Sequence, residues 1–151
     1  MSTMRPKNEM TEEDIKFQYI NPAIESKWDR NKISMETRIT DGMINLRGNR
    51  VSRSEAKKAD YILYINSQKP IAIIEAKSNK YSVSHGLQQA MQYAEMLDVP
   101  FAYSSNGDGF YEHDYLTGKE RELSLEEFPS EDELLIRFTA ESNDGKGLDD
   151  N

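Results

Sequence analysis

Residues 59–80 read ADYILYINSQKPIAIIEAKSNK. Two runs rich in Ile and Tyr flank the polar break Ser67-Gln68. Runs of this kind on either side of a short polar loop predict two strands, 61–66 and 69–75, joined as a hairpin. The first run is preceded by Asp60, and the second closes on Glu75-Ala76-Lys77. With Ser67 and Gln68 as the loop, Tyr64 faces Ile71, Ile62 faces Ile73, and Asp60 faces Glu75. Directly opposed side chains of an antiparallel pair share a face, with Cβ atoms about 5 Å apart. Side chains two apart on one strand also share a face, so Lys77 joins Glu75 while Ala76 points away. The register is conditional on the loop. Ser-Gln is a poor two-residue turn, Pro70 can lengthen it, and a slip of one residue would send Asp60 to the other face.

Two carboxylates set together repel, and one keeps its proton at neutral pH unless a cation lies between them. A hard divalent cation suits such a pair: Mg²⁺ takes one or two carboxylates and completes its shell with waters and phosphate oxygens. Ala76 is small enough for its backbone carbonyl to approach the same ion. Lys77 would stand beside a water, to orient and deprotonate it, or beside a phosphate on which charge develops. This constellation points to metal-assisted phosphodiester hydrolysis, with Asp60 and Glu75 as ligands and Lys77 as the catalytic amine. The spacing alone also fits an exposed ion-pair cluster at a sheet edge.

The rest of the chain supplies a frame. Thr11 followed by Glu12, Glu13 and Asp14 reads as a capped helix start, with acids at the positive end of the dipole. Ile15, Tyr19, Phe17 and Ile20 are expected on its buried side before Pro22. A strand is expected around residues 33–39, a turn at Asp41-Gly42 and a second strand near 43–46. From about Ser84 the period changes: Leu87, Ala90, Met91, Ala94 and Leu97 recur at helical spacing. Residues 101–105 read as a strand, FYEHDY and KEREL as a hairpin, and Ser130 to Glu133 as a capping box opening a short helix through Phe138. The result is an α/β domain, bordering on α+β, with a mixed central sheet covered on both faces. The expected boundaries are a disordered 1–8, a domain over 9–138, and an acidic disordered tail or linker start over 139–151.

The 151 residues carry no cysteine, so there is no disulfide framework and no thiolate site. No apolar run approaches the length that spans a bilayer, and the N-terminus lacks a signal peptide's apolar segment, so a cytoplasmic location is expected. The formal net charge is −8. Residues 119–151 hold 4 basic and 11 acidic residues, which leaves the preceding part close to neutral. Within that part, RGNRVSRSEAKK (47–58) offers Arg47, Arg50, Arg53, Lys57 and Lys58 as DNA-phosphate candidates, or as a solvated loop. His85 and His113 are too few and too far apart for a zinc site. Met35, Met43, Met91 and Met96 read as core fillers.

Asp60 and Glu75-Ala76-Lys77 resemble the core motif of the PD-(D/E)xK nuclease superfamily. With GLQQAMQYAEMLDVPFAYSSNG (86–107) directly after, the match resembles the N-terminal nuclease domain of the R, or motor, subunit of type I restriction-modification enzymes. TEEDIKFQYINPAI (11–24), TGKEREL (117–123) and FPSEDELLIRF (128–138) fit the same family. The resemblance implies a restriction-endonuclease-like fold and a Mg²⁺-dependent endodeoxyribonuclease, with Mn²⁺ as a substitute. It implies Asp60 and Glu75 as metal ligands, Lys77 as catalytic lysine, and Gln89 and Tyr93 as supporting or DNA-contacting residues. Glu12 is the candidate for an acid from the first helix. Double-stranded DNA, an ATP-driven motor domain, and specificity and methyltransferase subunits that bind S-adenosylmethionine are the implied partners. Two departures stand out: Ala59 replaces the proline, and no GxxxxGK[ST] is present, so ATP use belongs to other domains. The competing reading is a catalytically silent DNA-clamping or scaffold module.

Overall fold

The computed structural model describes residues 5–40, 57–66 and 69–149. The first helix starts at α1 (Glu12–Ile15), widens into a π-helical turn over Lys16–Ile20 and continues as α2 (Asn21–Glu25). Its start is fixed by a capping box. The Asp14 N–H donates to Thr11 Oγ1 at 3.0 Å, and the Thr11 N–H donates back to Asp14 Oδ2 at 3.4 Å. Pro22 does not end this helix. The wide turn before it has already replaced the i→i−4 pattern, with the Asn21 N–H donating to the carbonyl of Lys16. Ile15, Ile20, Ile24 and Trp28 are buried. Phe17, expected inside, is 75% exposed because the buried stripe runs beside it.

Six strands follow among the described residues: β1 (Ile33–Arg38), β2 (Lys58–Asn66), β3 (Lys69–Ala76), β4 (Phe101–Ser105), β5 (Gly109–Asp114) and β6 (Lys119–Ser124). They lie side by side in chain order, and only the β3–β4 pair is parallel. The crossover that a parallel pair requires is α3 (Leu87–Leu97). Its first turn begins after Gly86, later than Ser84. It ends at Asp98 in the left-handed conformation, just before Pro100. The last helix, α4 (Glu131–Asp149), runs past Phe138 into the stretch read as a tail.

In the central hairpin, Tyr61 faces Ile74, Ile62 faces Ile73 and Leu63 faces Ala72, the register predicted from the loop. Tyr64 departs from it and faces Pro70, not Ile71. Pro70 has no N–H to give the ladder, and prolines within sheets sit at such irregularities. The shift is confined to the loop end, so the Asp60 end keeps its register.

Two apolar layers cover the sheet. On one face Ile15, Ile20, Ile24 and Trp28 pack with Tyr61, Ile74, Tyr103 and Phe128. On the other, Ala90, Tyr93, Ala94 and Leu97 of α3 pack with Ile62, Ile73 and Ala102. Burying each large aliphatic side chain is worth about 1.5–3 kcal/mol. Met91 and Met96 fill the second layer, whereas Met35 points outward and is exposed. Met43, the turn at 41–42 and the strand near 43–46 lie outside the described residues. No helix among the described residues is long and apolar enough to cross a membrane.

Candidate active site

The hairpin register brings two carboxylates together at the ends of β2 and β3. The Asp60 N–H donates to Glu75 Oε2 at 3.0 Å, and the Ala76 N–H donates to Asp60 Oδ2 at 2.8 Å. Each carboxylate is thus held by the backbone of the opposite strand. The Ala76 side chain turns away into the core, as strand alternation requires. Glu75 is buried, and that burial, reinforced by the negative charge of Asp60, pushes its carboxyl up to about 8.

Lys77 follows on the same face and its charge acts on both Glu75 and Glu12. Its stem passes under the start of α3, where a Cβ at Gly86 would lie 3.4 Å from Lys77 Cε and 3.0 Å from Ser104 Oγ. Glycine at this position lets the helix start close over the lysine while the Gly86 N–H donates to Ser104 Oγ at 2.9 Å. One turn into α3, Gln89 Nε2 donates to Tyr93 Oη at 2.9 Å. Tyr93 is buried. Burial, and then the charge of Glu75, raise the pKa of its hydroxyl. Glu12 joins from α1: its carboxyl is raised by burial and then by Asp60.

The structure also supplies a residue that the sequence reading missed. Lys16 has a side chain only 2% exposed. Its Nζ pairs with the Glu36 carboxylate and lies 3.4 Å from Glu13 Oε2 and 3.6 Å from Asp60 Oδ1. Burial works to lower its pKa, but the bond to Glu36 and the charge of Asp60 more than offset this and hold it above the ordinary lysine value. The sequence held a signal for it. Lys16, Ile20, Ile24 and Trp28 recur at a spacing of four, so the lysine occupies a place in the buried stripe. Glu36, its partner, has φ of 53°, a left-handed conformation that costs a side chain with Cβ.

Of the phosphate candidates, Lys57 and Lys58 lead directly into Ala59 and Asp60. Lys58 Nζ is 3.9 Å from Glu36 Oε1, and the charge of Lys57 acts on Tyr93. Arg47, Arg50 and Arg53 lie outside the described residues. The histidines are elsewhere: His85 stacks on Tyr81, and His113 Nδ1 meets Glu120 at 2.7 Å. A cavity of about 640 Å³, lined by Lys69, Val99, Pro100, Tyr115 and Phe138, sits at the opposite end of β3 from Glu75.

The donor set fits a hard divalent ion. Among the described residues no group of three or more His, Cys, Asp or Glu side chains is arranged as a metal cage. Asp60 and Glu75 offer two carboxylates, the number Mg²⁺ commonly takes. The raised proton affinity of Glu75 is what such a pair shows without an intervening cation.

The mixed sheet, of six strands among the described residues and with helices on both faces, is an α/β fold shared with a solved structure. That structure is a fragment described as an HsdR subunit of a type I restriction enzyme from Vibrio vulnificus YJ016. It superposes with a TM-score of 0.76 at 39% identity, over 89% of this chain and 26% of that one. The model of the type I restriction enzyme R protein N terminus matches residues 11–129. The type I restriction enzyme EcoAI endonuclease subunit of Escherichia coli is 39% identical over 135 residues, 85% of this chain. The chain spans 17% of that relative's length. It belongs to the family of type I restriction enzyme R-subunit N-terminal domains.

Proposed function

We propose that this domain is a divalent-metal-dependent endodeoxyribonuclease of the PD-(D/E)xK type, the DNA-cleaving part of a type I restriction-modification R subunit. The observation that carries it is the reciprocal backbone clamp on Asp60 and Glu75 with Lys77 two residues on. In this reading Asp60 and Glu75 hold Mg²⁺, or Mn²⁺ in its place, and the Ala76 carbonyl is a further ligand. The chemistry that such a cation supplies is polarisation of a phosphoryl oxygen and activation of a water. Lys77, its stem fixed under Gly86, orients that water and stabilises charge developing on the phosphate. Gln89 and Tyr93 support Glu75 from α3, and Lys57 and Lys58 take backbone phosphates beside Asp60, with Arg47, Arg50 and Arg53 as further candidates.

Duplex DNA is the substrate, and the supporting partners are a motor domain and specificity and methyltransferase subunits. ATP and S-adenosylmethionine enter only through them. The endonuclease name of the Escherichia coli relative supports this reading.

The test is cleavage of plasmid DNA in Mn²⁺ alongside calorimetric titration of the ion. Asp60→Ala should lower cleavage by more than about 100-fold and lose the ion, since even partners behind metal ligands cost 10–100-fold. Lys77→Ala should lose cleavage equally while keeping the ion. A Lys77→Ala chain that cuts at the normal rate would refute the role of the lysine. A wild type that binds DNA and Mn²⁺ without cutting would favour the clamping module.

A further inference from the structure

Lys16 is a buried cation that the cleavage chemistry above does not use. It comes from the π turn of the first helix, not from the strands that carry Asp60 and Glu75. Its stem is part of the buried stripe with Ile20 and Ile24, so the ammonium is not free to swing into solvent. Three carboxylates flank it: Glu13 Oε2, three residues back on its own helix, lies 3.4 Å from Nζ, and Glu36 and Asp60 reach it from the sheet. Asp60 Oδ1 lies 3.6 Å from Nζ, too far for a hydrogen bond but within ion-pair range, while Oδ2 is occupied by the Ala76 N–H. Glu36 sits on β1 at the register position opposite Asp60, between the pairs Met35–Tyr61 and Thr37–Ala59. Its left-handed backbone is a cost accepted where its carboxylate meets Lys16.

We propose that Lys16 is a positioning residue that serves as the resident counter-cation of Asp60. It keeps the paired carboxylates in place without a metal and sets the site's divalent-ion affinity low. The proposal rests on the metal-dependent reading above. The sign follows from distances. An ion about 2.1 Å from an Asp60 oxygen stands within roughly 6 Å of Nζ, where a double and a single positive charge repel by several RT even at an effective dielectric of about 20. Glu36 shares the lysine and so moderates the repulsion. Removing the lysine's charge should therefore tighten ion binding, and removing the charge of Glu36 should weaken it. A purely structural role would move both variants in the same direction, toward weaker binding.

The experiment is calorimetric titration of Mn²⁺ into the full chain without DNA. Wild type, Lys16→Met, Glu36→Gln and Asp60→Asn are compared, with thermal melts to confirm folding. Lys16→Met should bind at least about ten-fold more tightly and Glu36→Gln several-fold more weakly, with Asp60→Asn binding nothing. Binding by Lys16→Met where the wild type is too weak to register supports the proposal equally. A Lys16→Met affinity equal to or below wild type overturns it while the wild-type contrast with Asp60→Asn leaves the metal site standing. If Lys16→Met does not fold, Glu36→Gln decides, and unchanged or tighter binding there overturns the proposal. No saturable binding in any of the chains refutes the metal reading and the proposal with it.

Discussion

Glu75 on β3 and Glu112 on β5 are almost equally shielded, at 3% and 1% exposure, yet their protons are driven in opposite directions. Glu112 accepts from Tyr103 Oη at 2.6 Å, Arg121 Nε at 2.9 Å, and both terminal nitrogens of Arg137 at 3.0 and 3.1 Å. Burial alone would raise its carboxyl, but the bonds from Arg137, Tyr103 and Arg121 outweigh it and the carboxyl ends lower than usual. Glu75 has burial and a second carboxylate, with one backbone N–H and the charge of Lys77 in partial compensation, and it ends near 8. Burial therefore does not separate a structural carboxyl from a functional one. The partners do. Glu112 is met by two guanidinium groups, whereas Glu75 is met by a second carboxylate.

Replacement of each acid by its amide should show this difference most strongly. Glu112→Gln leaves Arg137 with Asp114 as its remaining carboxylate and weakens every bond the acid accepts, and should destabilise the chain by about 3 kcal/mol, read from denaturant midpoints. Glu75→Gln in metal-free buffer should cost little or stabilise, because the amide stays neutral at every pH and the doubly ionised pair never forms. Equal losses in the two variants would erase the comparison.

The pH dependence of stability sharpens it. The folded-state pKa of Glu75 lies above the ordinary value of 4.5, so its stabilising contribution is present below that value and is lost as pH rises through about 8. The folded-state pKa of Glu112 is depressed, so its contribution is present above the ordinary value and is lost as pH falls through the lowered one. Metal-free chain should lose stability on both sides of the mildly acidic range, with each group's slope at most about 1.4 kcal/mol per pH unit. Glu75→Gln should flatten the alkaline arm alone, and Glu112→Gln the acid arm alone. Midpoints measured across the range check both, and an alkaline arm that persists in Glu75→Gln would assign it to another group.

The acidic pair was legible in the sequence because it depends on short-range patterns. The apolar runs on either side of Ser67-Gln68 announce two strands, and the hairpin register that the short loop gives sets Asp60 opposite Glu75. The switch to helical spacing after residue 84 likewise announces the crossover that a parallel β3–β4 pair needs. Lys16 shares the spacing of Ile20, Ile24 and Trp28 but escaped because a charge reads as solvent-facing until Glu36 and Asp60, distant in sequence, are brought to it. Phe17 was misplaced inside because the buried side depends on what the first helix packs against. Pro22 signals a helix end only where the i→i−4 pattern holds, and the π turn removes that condition. The Glu112 cluster joins β5, β6 and α4, and its two-nitrogen pairing, Glu112 with Arg137, spans 25 residues. No local pattern encodes such a pair.

The smallest expected effect lies within the Glu112 cluster itself. Arg121 and Arg137 both reach Glu112, but the Arg121 side chain is 51% exposed and the Arg137 side chain 23%. Arg137 also pairs with Asp114 at 2.7 Å, so it bridges two buried acids. Water screens Arg121 and can replace it at the carboxylate once it is gone. Arg121→Ala should therefore cost less than about 1 kcal/mol, as exposed ion pairs do, and should leave the acid arm of the stability profile in place. A loss as large as that of Glu112→Gln would mean that the carboxylate relies on its solvent-facing partner. Glu112 would then be closer to Glu75 than its burial and bonding pattern indicate.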